Sequence, residues 1–210
     1  CGTLFPYTTL FRSVAAEVFG VEADDVSDEQ RGAAKMVNFG IVYGITPYGL
    51  ARRLDPGKGG GDVDRAKQII ADYKRRYPKI DRFLDRCVQQ AKTKGYVETI
   101  MKRRRAIPQI TSTRPNTQAL GQRMAINTVV QGSAADLIKL AMVNLQRRIV
   151  AERLPMKMLL QIHDELVLEM PGDEVEAMQP IVIDEMTGAM DLSVPLKVDA
   201  STGKDWYAAK

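Results

Sequence analysis

The stretch Met156 to Met170, M-K-M-L-L-Q-I-H-D-E-L-V-L-E-M, constrains the fold more than any other in the chain. Two short apolar runs, Met158 to Leu160 with Ile162 and Leu166 to Leu168, flank the charged centre His163-Asp164-Glu165. Pro155 and Pro171-Gly172 bound the stretch, and runs of this length between such breakers predict the two strands of a hairpin. Strand alternation places Met158, Leu160 and Ile162 on one face, with Leu166, Leu168 and Met170 as candidates to join them. The turn then falls at His163-Asp164, which has none of the Asn-Gly or Gly-Gly chemistry of a tight hairpin. A tip made of the only histidine and two adjacent carboxylates suits chemistry, although a merely solvated turn satisfies the same pattern.

The rest of the chain reads mainly as helix. Val14 to Phe19 is a helical stub ending at Gly20. Ser27-Asp28-Glu29-Gln30 has the S-x-x-Q form of a capping box, so a helix is expected from Asp28. Along it Arg31, Lys35, Phe39 and Tyr43 recur at i+4 steps and form one slowly drifting stripe. Two cations followed by two aromatics suit a nucleotide, with charge for phosphates and rings for base or sugar; an ordinary surface stripe has the same spacing. Gly57 to Gly61 lacks the phosphate-loop pattern and reads as a surface insertion. A helix over 64–76, capped by Asp62 or Asp64, stops before Pro78, and Pro78 opens another to Lys94 with Gly95 at its end. Tyr96 to Ile100 is β-prone and leads into Lys102 to Arg105. Beyond Pro115, a helix over 116–127, a break near 128–130 and a longer helix over 133–152 are expected. Arg123, Asn127 and Gln131 lie at i+4 spacing across that break. Asp173 is expected to cap a helix to about Met190 that is kinked at Pro180. A strand over Pro195 to Ala200 and an anchoring Trp206 complete the chain.

Composition excludes several classes. No apolar run approaches the roughly 18 residues of a membrane-spanning helix. Cys1 and Cys87 are the only cysteines, which gives no disulfide framework and fits a reducing compartment. The lone His163 has no paired Cys or second His, so it is not read as a zinc ligand. The net charge is +4, and Lys74-Arg75-Arg76 and Lys102 to Arg105 concentrate it, which suits a polyanionic partner.

Four segments in order carry a family resemblance. Arg31 to Gly44, R-G-A-A-K-M-V-N-F-G-I-V-Y-G, resembles the second polymerase motif, R-x-x-x-K-x-x-x-F-G-x-x-Y-G, of the family A DNA polymerases, the bacterial DNA polymerase I group. Gly95 to Pro108 and Arg123 to Asp136 resemble later segments of that family, and Q-I-H-D-E-L-V-L-E resembles its third motif. The resemblance implies an α+β, mostly helical fold: a fingers subdomain over 14–95 packed beside a partial antiparallel palm sheet over 96–210. It implies a DNA-directed DNA polymerase of replication and repair, adding deoxynucleotides to a primer 3′-hydroxyl by a two-metal mechanism with Mg²⁺. Asp164 is then the metal ligand and Glu165 its support. Arg31 and Lys35 hold the triphosphate, with Lys35 the proton donor to pyrophosphate, and Phe39 and Tyr43 pack on the nucleotide. Arg123, Asn127, Gln131, His163, Arg103 and Arg104 contact DNA. The implied partners are primer-template DNA and deoxynucleoside triphosphates, for a monomer that is cytoplasmic, nucleoid-associated and free of membranes.

The resemblance also marks departures. Lys102 stands where the family usually has Gly, and Ala106 where it often has Tyr. The first motif, D-Y-S-Q-I-E-L-R, which supplies the other metal-binding aspartate, is absent, so the fragment is expected to be inactive alone. Thr3 to Ser13 resembles a translated sequencing adapter, so 1–13 is expected to be non-native. Two other readings remain: a non-catalytic nucleic-acid-binding module, insensitive to Asp164→Asn, and a metal-dependent nuclease, which needs further carboxylates at the tip.

Overall fold

The computed structural model describes residues 12, 14–16, 20–55, 57 and 61–209. The adapter-like segment, apart from Arg12, and residues 58–60 of the glycine loop lie outside them. The chain divides into two compact units, one within Tyr7–Val130 and one within Gln131–Lys210. It is mostly helical, with two small antiparallel sheets, as the α+β reading expected.

In the first unit, helix α1 spans Asp28–Val42 behind the anticipated capping box: Ser27 Oγ accepts from the Gln30 amide, and the Gln30 side chain accepts from the Ser27 amide. Helix α2 (Pro47–Leu54) starts on Thr46, with Pro at its first turn where a missing N–H costs nothing. Helix α3 spans Val63–Arg76, and its N-cap is Asp62, not Asp64. Helix α4 (Pro78–Lys94) ends on Gly95, at φ 75°. Val37, Ile41, Leu50, Ala51, Ala66 and Tyr73 join α1, α2 and α3 in one core. Inside it the Tyr73 hydroxyl donates to Asn38 Oδ1 at 2.9 Å, which satisfies a buried amide oxygen. Strands β1 (Tyr96–Glu98) and β2 (Arg104–Ala106) pair antiparallel and are shorter than the β-prone stretch suggested.

Helix α5 corrects one expectation. It runs unbroken over Pro115–Glu152, with no interruption at 128–130. The β-branched run Thr128-Val129-Val130 has low helix propensity, but packing overrides it. The Thr128 hydroxyl donates to the Met124 carbonyl one turn back, Val129 packs on the Val97, Ile107 and Ile110 cluster, and Val130 packs beside Leu84 and Cys87. Gly121 permits close approach, since a Cβ there would meet the Ile110 backbone nitrogen at 2.7 Å.

In the second unit, Ile138, Ala141, Leu145 and Ile149 form the inner stripe of α5, packed with Met156, Leu166, Met178 and Met186. Strands β3 (Lys157–Ile162) and β4 (Glu165–Glu169) form the expected hairpin, closed by the Ile162↔Glu165 pair around a two-residue tip. Its faces differ from simple alternation. Pairing passes from Met158↔Leu168 to Leu160↔Val167, so β3 carries one extra residue as a bulge. Met158 therefore joins Leu166 and Leu168 against the core, while Leu159 and Leu160 are left 45% and 50% exposed. Helix α6 spans Val175–Thr187 with Pro180 inside it; its N-cap is Glu174, and Asp173 lies in the preceding 3-10 turn. Residues 195–200 form no ladder, a second correction: a β-prone run becomes a strand only where its amides pair with a neighbour, and these pair with neither β3 nor β4.

Candidate functional site

In the first unit the predicted stripe forms along α1. Arg31, half-buried, pairs loosely with Asp28 at 3.6 Å. The exposed Lys35 ammonium lies 6.0 Å from the centre of the Phe39 ring. The Phe39 and Tyr43 rings stack, with centroids 6.1 Å apart and planes within 6°. Two cations thus lead into a stacked aromatic pair on one helix face. The opposite face is fixed by Val37, Ile41 and the Asn38–Tyr73 bond.

At the C-terminal end of that stripe the fold adds a partner from far along the sequence. Gly44 takes φ +75°, and a Cβ there would lie 3.2 Å from Arg123 Cγ on α5. The missing side chain lets Arg123 lie against the end of α1. Asn127 follows one turn later, and its Oδ1 is buried with no hydrogen-bond partner. A buried acceptor without a donor carries a desolvation cost. Thr128 receives a 3.1 Å hydrogen bond from Arg105 Nη1, which ties β2 to α5. Gln131 lies on the same unbroken helix and is exposed.

The cationic β1–β2 turn is built differently from a glycine turn. Lys102 takes φ 64°, the left-handed region that a glycine enters freely. The Lys102 amide donates to the Thr99 carbonyl, and the Arg103 amide to Thr99 Oγ1. Arg104 is committed locally: its Nε donates to Glu98 Oε1 at 2.9 Å and its guanidinium lies over the Tyr96 ring at 4.8 Å. The Glu98 hydrogen bond, with Tyr96, holds the Arg104 guanidinium further above its usual value.

In the second unit His163, Asp164 and Glu165 stand together at the hairpin tip. His163 is exposed and the two carboxylates are half-buried. His163 takes φ 55°, a left-handed conformation on a non-glycine residue. Gln161 Nε2 donates to the His163 carbonyl at 2.5 Å. The sequence reading missed Gln161 because simple alternation gives no sign that it serves the tip. Asp164 and Glu165 offer the hard oxygen donors that suit Mg²⁺. Among the described residues no group of three or more His, Cys, Asp or Glu side chains gathers for a metal. Among them also, no helix is long and apolar enough to cross a membrane.

The family model described as DNA polymerase family A matches residues 7–208. The chain belongs to that family. It is 46% identical over 199 residues to DNA polymerase I of Lactococcus lactis subsp. cremoris (strain MG1363), covering 94% of this chain and 22% of the relative. It is 46% identical over 196 residues to DNA polymerase I of Geobacillus stearothermophilus, covering 93% and 22%. The chain therefore spans about a fifth of the length of these family A relatives. Among solved structures it resembles the POL domain of Pol1 from M. smegmatis, in complex with DNA primer-template and dNTP. The TM-score is 0.88 at 36% identity, covering 95% of this chain and 34% of that one.

Proposed function

We propose that this chain is the nucleotide-holding and rear catalytic part of a DNA-directed DNA polymerase, with fingers over 14–95 and part of the palm over 96–210. The observation that carries the proposal is the α1 stripe, in which Lys35 leads into the stacked Phe39–Tyr43 pair. Charge followed by a flat apolar surface suits a deoxynucleoside triphosphate. Arg31 and Lys35 hold the phosphates, and Lys35 Nζ passes a proton to the departing pyrophosphate. Phe39 and Tyr43 pack against base and sugar. Arg123, Asn127 and Gln131 contact the primer-terminal base pairs from the minor groove, whose acceptors are nearly the same for every pair. The side-chain amides of Asn127 and Gln131 supply N–H donors that suit those acceptors. His163 touches the primer strand, and Arg103 and Arg104 the DNA backbone.

At the hairpin tip Asp164 would hold Mg²⁺, with Glu165 supporting it. The chemistry that the bound metal supplies is charge stabilisation at the attacking hydroxyl and the leaving phosphate. The partners on this reading are primer-template DNA and all four deoxynucleoside triphosphates, for a monomer that acts at the nucleoid. The test uses the complete polymerase chain that carries this segment. Lys35→Ala is expected to slow single-nucleotide incorporation by about 10²-fold or more while leaving duplex affinity nearly unchanged. Equal loss of DNA binding and turnover would refute the role of Lys35.

A further inference from the structure

When the first residue of a two-residue hairpin tip takes a positive φ, glycine normally occupies it. Here His163 takes that place at φ 55°, and Asp164 has no positive φ. A strained backbone of this kind persists only where its surroundings over-determine it. Two features converge on it. The bulge in β3 shifts the register so that Gln161 stands opposite the buried Leu166. From there the Gln161 amide reaches the tip and donates to the His163 carbonyl at 2.5 Å. That carbonyl belongs to the planar peptide joining His163 to Asp164, so the bond fixes the plane from which the Asp164 side chain springs. Bulges commonly occur beside active sites, where they re-aim a side chain.

We propose that Gln161 is a positioning residue for the Asp164 carboxylate. The proposal rests on the reading of Asp164 as the metal-holding group. Gln161 is itself exposed, so its amide adds little to the core, and its removal should disturb the tip more than the fold.

The test compares the complete polymerase chain with its Gln161→Leu variant, which keeps the side-chain bulk and removes the donor. Losing one hydrogen bond to the tip is expected to raise the half-saturating Mg²⁺ for single-nucleotide incorporation about fivefold. The amides of Asp164 and Glu165 should exchange with solvent about fivefold faster, while those of α6 keep their wild-type rates. A merely structural role would instead quicken exchange in α6 as well and leave the Mg²⁺ requirement alone, and that result overturns the proposal. Wild-type values in both measurements overturn it too. If the wild-type chain shows no incorporation that depends on Asp164, the polymerase reading fails. The exchange measurement then still decides whether Gln161 holds the tip.

Discussion

Single residues show where this chain tolerates strain. Lys102 occupies a left-handed position at φ 64°, where the family resemblance expects glycine. The steric penalty for a side chain there is about 1–2 kcal/mol, partly offset because glycine loses more freedom on folding, by about 0.5–1 kcal/mol. Lys102→Gly is therefore expected to stabilise the first unit by up to about 1.5 kcal/mol, read as a higher urea midpoint at unchanged slope. A lower midpoint would show that the lysine stem contributes packing that outweighs the strain. The departure at Lys102 was legible in the sequence, whereas its conformation was not, because φ follows from the turn closed by Thr99 and Arg103. Arg123 is the converse case. Its i+4 relation to Asn127 was legible, but its place against Gly44 joins residues far apart in sequence, which no local pattern reports.

At the scale of elements, the clasp between α1 and α3 makes a testable unit. Tyr73 is only 6% exposed and donates to Asn38. Burial, and then neighbouring Tyr77, pushes its phenol up from 10.0 to about 12. The folded state thus favours the neutral phenol, so this contribution is complete below pH 10 and is lost as pH rises from 10 toward 12. Tyr73→Phe leaves the buried Asn38 oxygen without a donor, at a cost of about 1–3 kcal/mol near neutral pH. It also removes the part of the alkaline destabilisation that Tyr73 causes. Denaturant melts of both proteins at neutral and alkaline pH check the two statements together. Elements announced by their own ends were the legible ones: the Ser27 box, Asp62, Pro78 and Gly95 are local chemistry. The β3 bulge was hidden because one extra residue leaves an apolar run looking like a regular strand. The unbroken α5 was hidden because packing of the partly buried Val129 and Val130 outweighs their poor propensity.

For the molecule as a whole, the hairpin tip is expected to hold Mg²⁺ too weakly to support chemistry. The tip brings Asp164 and Glu165, and among the described residues no group of three or more His, Cys, Asp or Glu side chains gathers to hold a metal. Mg²⁺ keeps its waters unless several ligands are preorganised, and paired ions need bridging negative charge. The purified 210-residue protein, with Mg²⁺ and all four deoxynucleotides, is therefore expected to give no primer extension. Processive extension that disappears in Asp164→Ala would contradict this. The fold class and the α1 stripe could be read from the sequence. The support of the tip could not, because it depends on a register set by a strand pair.

The bulge that turns Leu159 and Leu160 outward has an optical consequence. Both side chains line a recess of about 440 Å³ in the second unit, and Trp206 forms part of its wall. Trp206 is the only tryptophan in the chain, so indole emission arises from the second unit alone. Five of the seven tyrosines, Tyr43, Tyr48, Tyr73, Tyr77 and Tyr96, belong to the described part of the first unit. Selective excitation of the indole therefore follows the second unit, while tyrosinate absorbance follows mainly the first, Tyr207 being the one described tyrosine in the second. Coincident curves would mark one cooperative transition, and separated curves two.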